Sequence, residues 1–455
     1  MNTDPNNLTQ VPYSALITNA EINILRTYNP ILNQQASWAR YNVRTVYVHD
    51  ERYQVTGANT NFNVYSGQFE NLKKAMQLAE KAQDKNSVAL VKIIRSYAFQ
   101  NLTDLYGDIP YSEALNADDP QKPTIYPRYD SQKSIYMDLI KQLKDANAMM
   151  DPSANLGPAD VVFNGDMKMW KRFCNSLLLR IYMRMSLVDP ATAKSGIEMI
   201  AADQATYPVI NSIANASFKY WLASDPNYRS PYYMLPADAT KQQNATSEFM
   251  INFLKGRMDP RLPVYAEPAA NTGLFTGLAL GAEGNSNALS IMGVARFRAA
   301  NSPTRMMRYS EVLFIYAEAA LNGWNVGMTA KDAYEAAVKA SFDEYGIGAG
   351  SYLSGPLVDF NGGTNQRQLI GDQKWCALYP DANQGWAEVR RSGYPVYVAT
   401  TEPQSSLFPG KGTIKRMPYP YTEAISNPDG FNAAIAAQPG IVNEKFGAGL
   451  WWAKK

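Results

Sequence analysis

The stretch Gln83–Leu115, QDKNSVALVKIIRSYAFQNLTDLYGDIPYSEAL, decides the fold class. Apolar residues recur at Val88, Val91, Ile94, Ala98, Leu102 and Leu105, and Leu90, Ile93 and Tyr97 add a second stripe. Two stripes at helical spacing predict a helix buried on more than one side, the inner helix of an α-helical domain. Gly107 offers a left-handed stop, and Pro110 forbids continuation, so an ordered loop should follow. Upstream, SGQFENLKKAMQLAEKAQ places Phe69, Leu72, Ala75, Met76 and Ala79 at the same spacing. A polar turn over Asp84 to Asn86 then folds the two helices into an antiparallel hairpin.

The hairpin recurs along the chain. Residues 129–150, capped by Asp130 or Ser131, pair with 165–186, and residues 305–324 pair with 329–347. Small residues at the crossings, Ala317, Ala319, Ala320 and Ala336, suggest degenerate tetratricopeptide-like repeats stacked as a solenoid-like scaffold. The expected architecture is mainly α, with helical hairpins, long irregular loops and minor β. No linker interrupts it, so residues 1–455 read as one domain. The scaffold is expected mainly over 16–205 and 304–347, and a loop-rich, ligand-facing part mainly over 206–303 and 348–455. Residues 1–15 suggest a surface arm and 16–40 a first helix or two. The 46–66 segment holds Tyr47, Tyr53, Phe62 and Tyr65 among Asn, Thr and Asp with no helical period, and is expected to be a long loop.

Composition excludes several classes of function. The 43 basic and 41 acidic residues leave a net charge of +2 spread along the chain, so no field exists to draw in nucleic acid. Charged residues are only 18%, while aromatic residues reach 12% through 29 Tyr, 16 Phe and 8 Trp, which predicts a lightly charged surface rich in rings. Two cysteines, Cys174 and Cys376, form neither a disulfide framework nor a zinc site. No apolar run is long enough to span a bilayer, and MNTDPNNLTQVPYS lacks the regions of a signal peptide.

Catalytic chemistry has little material to work with. His49 is the single histidine, so a Ser-His-Asp or Cys-His site must use it, and it is read as a loop residue. Nothing singles out a glycosidase carboxylate pair, and the Gly-rich 273–284 segment lacks a phosphate-loop pattern. Asn59, Asn61 and Asn63 alternate like calcium ligands but bring no charge, so no metal and no cofactor is expected. Sugar binding asks for different residues: flat rings for the C–H face of a pyranose, and amide or charged groups for its hydroxyls. Trp221, Tyr228 and Tyr232 with Asn227 form one such set, and Tyr53, Tyr65 and Asn61 a second; each ring has the alternative of anchoring its loop to the scaffold. Trp170, Trp324, Trp375, Trp386, Trp451 and Trp452 are assigned to packing. The arginines Arg296, Arg298, Arg305, Arg308, Arg390 and Arg391 are assigned to caps and salt links, with an acidic sugar as the alternative.

Four stretches together bear a family likeness: Asn2–Thr9 (NTDPNNLT), Leu102–Ala114 (LTDLYGDIPYSEA), Leu369–Pro395 (LIGDQKWCALYPDANQGWAEVRRSGYP), and Arg416–Asn427 (RMPYPYTEAISN) with Trp451 and Trp452. Through them the chain resembles the SusD/RagB-like outer-membrane nutrient-binding lipoproteins of Bacteroidetes. The resemblance implies a monomeric glycan-capture protein, not an enzyme, built on four tetratricopeptide-like pairs. It also implies an outward-facing position at the cell outer membrane, as the lid of a SusC-like TonB-dependent transporter, and tethering through a lipidated cysteine after the leader. No cysteine stands near this N-terminus, so Met1 is read as replacing that leader. Two alternatives accompany this reading: an oligopeptide-binding relative, and a helical-repeat adaptor that grips only a partner protein.

Overall fold

The computed structural model describes residues 11–29, 34–52, 54, 60–219, 221–233, 243–397, 414–438 and 450–453. The expected hairpin forms from helices Glu70–Lys81 and Lys85–Tyr106. Asp84 caps the second helix, its carboxylate accepting from the Ser87 backbone N–H at 3.0 Å, a bond worth about 1 kcal/mol. Both predicted stripes are buried: Leu90, Ile93, Ile94, Tyr97, Leu102 and Leu105 are each 1% exposed or less. Gly107 ends the helix at φ +81° and donates to the Thr103 carbonyl at 2.7 Å. A side chain there would meet the Gln438 amide as well as adopt a disfavoured backbone angle.

Helices Gln132–Met149 and Met167–Arg184 make the second pair, capped by Ser131 and Asp166, and Pro190–Ala202 packs beside the latter. Helices Tyr309–Leu321 and Ala330–Asp343 make the third, with Ala317, Ala319, Ala333 and Ala337 fully buried where they cross. The N-terminal segment supplies helices Tyr13–Tyr28 and Gln34–Trp38, the first lying against Glu70–Lys81.

A fourth pair, Gln366–Leu378 and Ala382–Ser392, lies inside the part expected to be loop-rich. Every residue from Leu369 to Leu378 is buried, including Asp372, Gln373 and Lys374. A helix enclosed on all sides, with polar residues inside, has no hydrophilic face to give it a period. The 206–303 insertion is tied back to the scaffold by short antiparallel strands. Ser217–Lys219 pairs with Thr304–Met307, and Asn244–Thr246 pairs with Asn42–Arg44.

Buried ion pairs and hydrogen bonds join the pairs to one another. Arg180 forks onto Glu311 at 2.7 Å through two nitrogens, linking the second pair to the third. Arg391 holds Glu318 at 2.5 Å and Glu388 at 2.5 Å, linking the third to the fourth. Asp104 gathers the most distant elements: its carboxylate accepts from Gln100, from the Tyr136 hydroxyl, and from Trp452 Nε1 at 2.9 Å. Its backbone carbonyl accepts from Arg390 at 2.7 Å.

Asp104→Ala leaves Tyr136, Trp452 and Arg184 facing an unfilled polar site, and is expected to cost about 3–5 kcal/mol in urea unfolding. Asp381, fully enclosed at the start of Ala382–Ser392, is raised to about 6, by burial first, with Arg180 and Arg308 opposing. Its folded value exceeds the unfolded one, so native protein holds the proton more tightly and this group's contribution to stability is lost as pH rises from about 4 to about 6. The stability of Asp381→Asn relative to wild type should therefore climb by about 2–3 kcal/mol over that window, read from unfolding curves at each pH.

Candidate functional site

The two ring sets proposed from sequence fare differently. In the first, Trp221 is 2% exposed: the strand Ser217–Lys219, paired with Thr304–Met307, carries it into the core. Its Nε1 donates to Thr304 Oγ1 at 2.8 Å, and the Arg26 guanidinium sits 5.4 Å from its ring. Tyr232 is also 2% exposed, and burial pushes its phenol up. Neither ring has a face open to a sugar, so the anchoring alternative holds for both. Tyr228 is half-buried at the end of the Pro226–Tyr228 turn, where Asp225 accepts from the Asn227 N–H at 2.9 Å. Asn227 is exposed, and its carbonyl accepts from Arg26. Tyr233, with the Arg229 guanidinium 5.2 Å from its ring, is the more open aromatic of this segment.

In the second set, Tyr53 lies outside the described residues, and Asn61 is buried. Tyr65 lines a cleft of about 440 Å³ between the turn at 60–69, the loop at 110–127 and residues 420–427. It is half-buried, packs on Phe62 and Phe69, and donates its hydroxyl to the Pro110 carbonyl at 2.5 Å. Burial raises its phenol well above the usual range, with Tyr28 and Glu423 adding to the effect. Tyr129 donates to Glu423, fixing the carboxylate at the cleft. Asn63, Ser66, Thr124, Thr422, Ser426 and Asn427 supply the remaining polar lining.

Four large apolar residues stand out around this cleft. Ile125 is 68% exposed, Tyr126 62%, Tyr421 70% and Ile425 67%. Ile125 lines the cleft, and the others adjoin lining residues in sequence. Exposed apolar residues gathered in the two segments that form the cleft make it a candidate interaction site. The sequence singles out none of these residues: Tyr421 and Ile425 fall in the Arg416–Asn427 family stretch, and Ile125 and Tyr126 in an unassigned loop.

Other candidate chemistry is accounted for structurally. His49 is exposed, with Nδ1 3.2 Å from Gln54 Oε1. Cys376 is buried, and burial pushes its thiol up to about 12, far from a nucleophile's range. Among the described residues no group of three His, Cys, Asp or Glu is placed to hold a metal. Arg305 and Arg308 both meet Glu344, Arg296 donates to the Tyr345 carbonyl at 2.7 Å, and Arg390 stacks 3.5 Å from the Trp386 ring. Arg305, Arg308 and Arg390 serve the interior, and the exposed Arg296 ties its loop to the third pair.

A family model described as starch-binding and associating with outer membrane matches residues 5–420. No curated protein matches the chain. Among solved structures, a chitin-binding SusD homologue from Flavobacterium johnsoniae is 23% identical, with a TM-score of 0.81 over 96% of this chain and 98% of that one. A SusD homologue from Bacteroides vulgatus is 22% identical, with a TM-score of 0.84 over 97% and 98%. One from Bacteroides fragilis is 25% identical, with a TM-score of 0.81 over 98% and 100%.

The burial of Trp221 has a measurable consequence. Trp221→Ala should destabilise the fold by about 3–5 kcal/mol in urea unfolding, with the loss coming from cavity formation and an orphaned Thr304 hydroxyl.

Proposed function

The chain belongs to the SusD-like family, and on that premise we propose that it captures oligosaccharide at the cell surface and passes it, unaltered, to a SusC-like TonB-dependent transporter. The observation that carries this reading is the Tyr65 cleft, lined by Tyr65, Phe62 and Ile125 with one carboxylate and several hydroxyl and amide groups, its lining residues adjoined in sequence by the exposed Tyr126 and Tyr421. Rings of this kind stack on pyranose C–H faces, and preformed stacking needs no chemistry from the protein. Tyr228, Asn227 and Tyr233 offer a second accessible edge for a longer chain. The chitin-binding relative from Flavobacterium johnsoniae supports a polysaccharide as the ligand class.

The family's outer-membrane association supports the proposed site of action. Among the described residues no helix is long and apolar enough to cross a membrane, and we assign attachment to an N-terminal lipid, as the resemblance implies.

Calorimetric titration against soluble starch, chitin oligomers, and plant and host glycans tests the reading. The wild type is expected to bind at least one glycan, and Tyr126→Ala with Tyr421→Ala to weaken it by about thirtyfold at unchanged melting temperature, since each stacked ring contributes roughly 1 kcal/mol. Undiminished binding by the double variant would remove the Tyr65 cleft from the proposal. Silence across the whole glycan panel, with heat released on oligopeptides, would replace glycan capture by peptide capture.

A further inference from the structure

A second cleft, of about 470 Å³, opens where the second, third and fourth helical pairs end together. Leu187, Pro190, Trp324 and Tyr394 line it, and Arg367 and Ile370 come from the fourth pair. It shares no lining residue with the Tyr65 cleft. Trp324 and Tyr394 are both half-buried, each held by its packing while keeping surface at the cleft.

The charges in this cleft are arranged unequally. Glu318 and Glu388 lie in its floor, and Arg391 meets both, with Lys374 a further 2.9 Å from Glu388. Two carboxylates against two cations cancel. Arg367 is different: it is exposed, and its guanidinium makes no ion pair or hydrogen bond with any described residue. In a chain whose other cleft arginine is spoken for, this leaves one uncommitted positive charge beside two aromatic rings. Asn322 and Ser392 add neutral hydrogen-bonding groups.

We propose that the Trp324–Tyr394–Arg367 cleft is a second saccharide site, taking a sugar ring that carries a carboxylate. The ring stacks on Trp324, and the Arg367 fork holds the carboxylate through two parallel N–H···O bonds, a geometry guanidinium fits better than ammonium. The buried ion network beneath keeps the floor rigid and electrically neutral, so selectivity falls to Arg367 alone. The proposal stands apart from the Tyr65 cleft and does not depend on what binds there.

Titration calorimetry of the whole chain decides it, using tetragalacturonate and sialyllactose as acidic probes, and tetragalactose and lactose as their neutral counterparts. The wild type is expected to prefer at least one acidic probe over its neutral counterpart by about tenfold, a preference that shrinks with added salt. The two acidic arms separate a uronate from a sialate source. Arg367→Gln, at an exposed position, should fold normally and bring the ratio of acidic to neutral affinity to about one. Trp324→Ala should weaken acidic binding by about tenfold, and Tyr126→Ala with Tyr421→Ala should leave it unchanged. Equal affinity for acidic and neutral probes, acidic binding that survives Arg367→Gln, or no acidic binding at all overturns the proposal. Neutral glycans bound through Tyr126 and Tyr421 would in each case leave the first cleft standing.

Discussion

A carboxylate taken out of water must be met by donors, and Asp104 at 3% exposure imposes that requirement on the whole chain. Its partners come from its own helix (Gln100), the second helical pair (Tyr136) and the C-terminal segment (Trp452), while Arg184 stands 3.9 Å away. The same residue's carbonyl takes a bond from Arg390 in the fourth pair. Sequence separations of up to 348 residues close on this one side chain. The helical pairs are thereby docked in one arrangement, because any slip would strand a buried charge.

The same accounting divides the arginines. Arg180, Arg261, Arg308 and Arg391 are nearly or wholly inaccessible, and each is paired with a carboxylate. They connect helical pairs or pin the insertion to the scaffold. Arg367, on the same helix as Lys374 of that network, is exposed. Position in the fold, not residue type, separates a cation used for cohesion from one left for a ligand.

The aromatic residues split in the same way. Trp170, Trp375, Trp386 and Trp452 are enclosed, and Trp375 Nε1 and Trp452 Nε1 each find an acceptor at 2.8 and 2.9 Å. Trp221 joins them, despite a neighbourhood of Asp, Asn and Pro that suggests a surface loop. The open rings are instead Tyr47, Tyr126 and Tyr421, each more than 60% exposed.

Helical period, cap residues and the Gly107 stop are local properties, so the sequence by itself determined the first three helical pairs, their polar turns and the family likeness. It also determined that the chain carries rings and amides suited to sugars. Only the tertiary structure decided which of those rings meet solvent. Burial depends on partners far along the chain, as when residues 304–307 draw Trp221 inward, and no local pattern encodes that pairing. The fourth pair, which the family likeness implied, reads from its own residues as helical only in parts for a related reason: its first helix is surrounded on every side, with polar residues satisfied by distant partners, and shows no hydrophobic period. The clefts likewise arise where segments hundreds of residues apart converge, so their charge and shape exist only once the fold is complete.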